Sequence, residues 1–423
     1  MDGGLPASRA HRASLSRLSA NMSGIPRYRP YTGPVVLSAG FRPFFLLAAL
    51  WAAAAIPIWL AVYAGSSIVP SLMPPSVWHV HEMVFGFAAA TVAGFLLTAI
   101  PNWTGRMPLQ GASLAGLVVL WASGRLAVLF SSAIGATTAT IVDLAFPAAF
   151  LAVVAREILA GRNWRNLPML AALSLLLIGN LLVHLDLLGL TTTAELGNRL
   201  GLATLLMLIT LVGGRIVPSF TRNWLTKNRA DVAPPASEGP VDRAALIVAG
   251  AGLAIWTIAP DGAATPWAVL AAGLAVALRL SRWRGGKTFG EPLLLILHLG
   301  YGWLAFGLIL LGLDALFPLL PSTAALHALT IGAVGTMTLA VMTRATLGHT
   351  GRPLAAGGGT RLIYGLITLA AVLRVASPLS PSHAELLLVL AGGAWSAAFG
   401  LFALFYGSVL MRPQVTGEAA RPI

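Results

Sequence analysis

Residues 78–106 read WHVHEMVFGFAAATVAGFLLTAIPNWTGR, a long apolar run with histidines at its head and a Thr-Gly-Arg turn at its foot. The frame returns 246 residues later in residues 327–352, HALTIGAVGTMTLAVMTRATLGHTGR, where His327, Gly332, Thr350, Gly351 and Arg352 fall in register with His81, Gly86, Thr104, Gly105 and Arg106. Each run is long enough to cross a bilayer core of about 30 Å as a helix, which takes roughly 20 apolar residues. Two spans with an imidazole at one end and the same turn at the other read as duplicated parts of one device. Its chemistry points to holding a metal or a haem rather than to packing alone.

The rest of the chain has the same character. With 57% hydrophobic and 10% charged residues over 423 positions and a mean hydropathy of +0.82, there is too little polar surface to cover a water-soluble globule of this size. The expected fold is therefore all-α and polytopic. Twelve transmembrane helices are predicted near 43–64, 78–100, 112–130, 137–159, 168–188, 198–218, 243–260, 263–281, 290–313, 322–343, 360–376 and 384–410. Runs this long without strict alternation exclude a membrane barrel. Pro43, Pro168 and Pro292 open spans one, five and nine at intervals of 125 and 124 residues, and Arg125 and Arg374 each follow their unit's proline by 82. Three pseudo-symmetric units of four helices fit this spacing, although proline is also favoured at a helix's first turn for local reasons.

A net charge of +13 raises the question of nucleic acid, and the placement of the charges answers it. Arg106, Arg162, Arg165, Arg222, Lys227, Arg229, Arg243, Arg282, Arg284, Lys287, Arg344, Arg352, Arg361 and Arg412 all fall on one side of the predicted membrane, whereas the connections on the other side contain no Lys or Arg. This is the positive-inside pattern, and it predicts both termini in the cytoplasm. The partner is a lipid bilayer, not nucleic acid. Residues 1–40 read as a disordered basic cytoplasmic tail, 41–413 as a single transmembrane domain with a mobile cytoplasmic linker at 226–243, and 414–423 as a second tail. The absence of cysteine excludes disulfides, iron–sulfur clusters and thiolate metal sites.

Metal-binding candidates are consequently histidines. Neutral imidazole ligates haem iron and copper well. His81 and His327 are expected at one depth on spans two and ten, where they can clamp a flat macrocycle between two helices. His79 lies about 200° from His81 around an ideal helix, so the two share a metal only if the helix begins between them; otherwise they serve different partners. His298 is expected near mid-depth in span nine, and is the fourth metal candidate. Arg125, Arg199 and Arg374 approach the same level as the paired histidines and are candidates for haem propionates. The competing reading pairs these arginines with Glu82, Asp186 or Glu195, or snorkels them to the interface.

At this point WHVHEMVFGFAAATVAGFLLTAIPNWTGR, GNRL with GGRIVPSFTRNWL, LHLGYGWL and LHALTIGAVGTMTLAVMTRATLGHTGRPL together resemble the signature segments of the NnrS family of bacterial inner-membrane proteins, over nearly the whole chain from Gly40 to Arg412. The resemblance implies a twelve-helix protein with haem and copper, associated with denitrification and nitrosative-stress tolerance, and nitric oxide or a related small molecule as its partner. His79, His81, His298, His327 and His349 carry over as motif histidines only. A looser architectural likeness, to the catalytic subunit of haem-copper oxidases, comes with a departure. Spans six and seven lack histidine, where that superfamily places its second-metal ligands, so oxidoreductase action on nitric oxide stays open. A transporter or metal-handling protein with a transient histidine site is the rival reading.

Overall fold

The computed structural model describes residues 31–317 and 321–415. The cationic segment 1–30, the end of the chain from 416 and most of the expected tails lie outside the described residues, whereas Val35–Leu37 form a short turn whose neighbour Ser38 accepts a hydrogen bond from Gln110. Twelve principal helices follow: α1 Phe41–Tyr63, α2 Pro75–Thr104, α3 Gly111–Leu129, α4 Ala136–Ala160, α5 Leu167–Leu187, α6 Ala194–Asn228, α7 Pro240–Ile258, α8 Thr265–Ser281, α9 Pro292–Leu316, α10 Ser322–His349, α11 Gly358–Ala376 and α12 Ala384–Met411. No strand occurs among the described residues. In hydrocarbon every backbone polar group needs an internal partner, and the helix supplies one for each. Eleven of the helices are long and apolar enough to cross a membrane. The exception, α8, has 17 residues and is wedged between α7 and α9.

The sequence punctuation explains the ends. Pro43, Pro168 and Pro292 all sit in the first turn of their helices, where the missing N–H removes nothing. Both Thr-Gly-Arg turns stop a helix in the same way: Gly105 and Gly351 adopt φ of +70° and +72°, a left-handed conformation that glycine takes without a Cβ penalty. The linker is shorter and better anchored than expected, because α6 runs on to Asn228 and α7 begins at Pro240. Arg222 donates to the Pro235 carbonyl at 3.2 Å, and the Ala236 N–H to that of Arg282 at 3.2 Å.

Successive helices pack side by side and α12 returns to α1. The indole of Trp395 donates to the Ala52 carbonyl at 2.9 Å, and buried Arg42 caps the end of α12 through the carbonyls of Leu410 and Arg412, both at 2.8 Å. Inside the ring α2, α6 and α10 touch one another. The membrane-crossing stretches of these three are 67%, 61% and 67% buried, like α9 at 61% and against 28% for α1. All three, the second helix of each predicted unit, widen into π-helix, at Glu82–Ala88, Ile209–Gly213 and Ala328–Gly335. The two in α2 and α10 keep the 246-residue register of the histidine motifs.

A π segment disturbs the carbonyl ladder, and partners from neighbouring helices repair it. Trp121 of α3 donates its indole N–H to the Gly86 carbonyl at 3.0 Å. Arg279 of α8, 1% exposed, donates to the Thr210 carbonyl at 2.8 Å and to that of Gly214 at 3.4 Å, while its Nε is held by Asp242 at 3.0 Å. A Cβ on Gly214 would strike that guanidinium, whereas Gly365 in α11 faces open space. Gly214→Ala is thus expected to destabilise the protein by about 1–3 kcal/mol through overpacking, and Gly365→Ala to be neutral or stabilising by up to about 1 kcal/mol. Equal thermal unfolding of the two variants in detergent would refute the bracing role of Arg279.

Candidate functional site

Helix α2 begins at Pro75, so His79 and His81 both lie inside one continuous helix and face different ways. His81 turns into the protein. It is fully buried with Glu82, Asp143 and His184, and Arg125 and Asn180 join them at 3% and 2% exposure. Its Nδ1 lies 3.0 Å from Glu82 Oε1, and its Nε2 lies 2.9 Å from Asn180 Oδ1 and 3.3 Å from Asp143 Oδ2. His184 of α5 brings its Nε2 to 2.9 Å from the same Asp143 oxygen and its Nδ1 to 3.2 Å from Thr140 Oγ1. Arg125 of α3 binds Glu82 at 2.8 Å and also pairs with Asp143. Gly86 and Gly124 make room for these groups: a Cβ at either would come within 2.7 Å of Arg125 or Asp143.

Two carboxylates face one guanidinium here. With both imidazoles neutral, the buried formal charge is −1, an expensive excess in a low-dielectric setting. One further positive charge balances it, whether a proton or a metal ion. His81, Asp143 and His184 offer ligand atoms within 4.8 Å of one another, a nitrogen and oxygen set that suits divalent copper. Glu82 Oε2 and Arg125 Nε are buried without a hydrogen-bond partner.

His79 turns the other way. Its ring stacks on Trp59 with centroids 4.7 Å apart and planes at 18°, its Nδ1 is buried without a partner, and it lies within electrostatic range of His327 and Arg374. His327 of α10 has Nδ1 2.7 Å from the Thr323 carbonyl, so this nitrogen carries the hydrogen and Nε2 keeps its lone pair. A ring N–H fixed on a backbone carbonyl is the usual support of a metal-ligating histidine. His81 is engaged by Glu82, Asn180 and Asp143, whereas His79 is the α2 histidine within electrostatic range of His327. With both residues inside the helix, their separation of about 200° sends residue 81 to the ion cluster and residue 79 away from it.

The family model described as NnrS protein matches residues 35–414, the whole helical bundle. The chain belongs to the NnrS family. No curated protein matches it.

Elsewhere in this NnrS chain the remaining candidates separate. Arg125 is committed to Glu82 and Asp143, and Arg199 to Glu195 at 3.5 Å and the Thr257 carbonyl at 3.3 Å. Both thus follow the ion-pairing alternative rather than the propionate one. Arg374 has no carboxylate partner among the described residues. His298 lies apart, bonded to Thr221 at 2.9 Å, and His349 packs on Phe41 with centroids 5.6 Å apart. Sequence reading passed over Asp143 and Asn180. Both carry a readable signal, a polar residue set within an apolar span (TATIVDLAFP and LLLIGNLLVHL), which by its cost in the membrane marks a site.

Proposed function

We propose that this protein is a haem- and copper-binding component of the bacterial inner membrane that acts in the response to nitric oxide. Membership of the NnrS family supports the cofactors and the small molecule; the cationic loops, all on one side, support a histidine-bearing end that faces the periplasm. The observation that carries the reading is that His79 of α2, with a buried Nδ1 left unpartnered, lies within electrostatic range of His327 of α10, whose Nε2 keeps its lone pair, and of Arg374, which no carboxylate among the described residues claims.

In this reading His79 and His327 would hold the haem, Trp59 would steady the His79 ring, and Arg374 would face a propionate. His81, His184 and Asp143 would hold copper, with Glu82 and Thr140 orienting the two rings through their Nδ1 atoms, Asn180 donating to Asp143, and Arg125 setting the local charge. A haem held by two imidazoles would supply single-electron exchange and would take nitric oxide only where one imidazole gives way, and copper would exchange single electrons. The protein's own residues supply ligands, a dry setting and a counter-charge. Helices α6 and α7 contain no histidine, so a second metal facing the haem from those helices is not part of the proposal. A transporter is disfavoured, because α2, α6 and α10 widen without breaking and leave no unwound segment at mid-depth.

Purified protein is expected to show a Soret band, to contain copper by elemental analysis, and to shift its reduced Soret band on addition of nitric oxide. Protein that folds yet holds neither metal when made in haem- and copper-replete cells refutes the proposal.

A further inference from the structure

A second feature, remote from the histidine-bearing end, has its own chemistry. Between the α8–α9 turn and the outer side of α9 lies an open groove of about 920 Å³. Its floor is apolar, formed by Leu295, Leu299, Trp303 and Phe306, and Leu299 and Phe306 are 41% and 44% exposed. Its mouth is basic: Arg284 and Lys287 line it and no acidic side chain does. Arg284 adopts φ of +60°, a left-handed conformation unfavourable for any residue with a Cβ, and has no side-chain hydrogen bond or ion pair among the described residues. Lys287 feels Asp231 of the linker, which is itself paired with Arg229. The local balance therefore stays positive.

Behind the turn sits His298, 7% exposed and part of the groove lining. Thr221 donates its hydroxyl hydrogen to the Val217 carbonyl at 2.9 Å, so its oxygen accepts from His298 Nε2 at 2.9 Å. That leaves His298 Nδ1 a bare acceptor, buried without a partner. Gly285 packs against it, and a Cβ there would approach Nδ1 to 2.8 Å. The groove thus offers two cations for an anion, one imidazole nitrogen for a hydroxyl donor, and a lipid-facing apolar trough along α9. A neutral quinone would use the trough and the acceptor but not the cations.

We propose that this groove binds an anionic phospholipid with a glycerol headgroup, its phosphate on Arg284 and Lys287, a headgroup hydroxyl donating to His298 Nδ1 and an acyl chain along Leu295, Leu299 and Phe306. Juxtamembrane cations attract anionic lipid by an amount that corresponds to about fivefold in affinity per charge. The acceptor nitrogen adds the selectivity for a headgroup hydroxyl. The site is independent of the metals, so its test does not stand or fall with the haem.

The test is native mass spectrometry of the full chain released from nanodiscs containing phosphatidylglycerol, phosphatidic acid or phosphatidylethanolamine. The wild type is expected to retain phosphatidylglycerol over phosphatidylethanolamine, and the R284Q/K287Q variant to lose that preference by about 25-fold. Both changes are at exposed positions and spare the fold. H298F is expected to level phosphatidylglycerol with phosphatidic acid while keeping the preference for anions. Equal retention of phosphatidylglycerol and phosphatidylethanolamine by the wild type, an unchanged preference in R284Q/K287Q, displacement by millimolar inorganic phosphate alone, or a quinone that excludes the lipid would each overturn the proposal.

Discussion

Replacing Arg125 with methionine is expected to lower the unfolding free energy by about 3–5 kcal/mol, the cost of leaving a buried charge without its partner. The size follows from the arrangement at the cluster. Arg125 is bound to both Glu82 and Asp143, all three are at most 3% exposed, and its removal leaves two buried carboxylates with no guanidinium between them. Methionine keeps much of the packing volume, so the loss reports charge rather than a cavity. The double variant E82Q/R125M restores the original formal sum of −1 and is expected to recover at least about 1 kcal/mol of the loss, a coupling typical of groups in one network. Thermal or denaturant unfolding in detergent measures both. If the single and double variants melt together, the cluster does not work as a charge-balanced unit.

Haem content is expected to fall at least about tenfold in His327→Ala and in His79→Ala, and to survive in His81→Ala. An axial ligand is a direct bond to the iron, and losses of 10–100-fold are already typical when only the outer-shell support of a metal ligand is removed. The contrast within one helix is the diagnostic part. His79 and His81 are two residues apart, yet one stacks on Trp59 near His327 and the other is held by Glu82, Asn180 and Asp143. His81→Ala should instead lose copper. The ratio of the Soret absorbance to protein, with copper measured on the same samples, reads both. Retained haem in His79→Ala, with loss in both His81→Ala and His327→Ala, would return the haem to the partnership that sequence alone indicated.

The bundle was legible because the membrane leaves so few options. Uninterrupted apolar runs, first-turn prolines and the glycines of the two Thr-Gly-Arg turns place most helix ends within a few residues, and the family resemblance stands with the match over residues 35–414. The missed features depend on how helices meet. His79 and His81 point to different faces of α2 from either start, and which neighbours each face meets, Trp59 for one and Asn180 and Asp143 for the other, depends on how the helices pack. Arg125 was visible as an arginine at depth, but its choice between a propionate and a carboxylate needed the position of Asp143 on α4. The π segments left no clear mark, because glycines such as Gly86, Gly213 and Gly332 are equally compatible with regular helix in an apolar run.

Those segments also set a phase. A widened turn amounts to one extra residue wound into the rod, and one residue corresponds to about 100° of rotation. In α2 and α10 the widening lies between the imidazoles and the Thr-Gly-Arg foot, so the azimuth of the ligands is decoupled from that of the anchoring turn. Selection can thereby tune the two ends of each rod separately, aiming the histidines without rotating the Thr-Gly-Arg base.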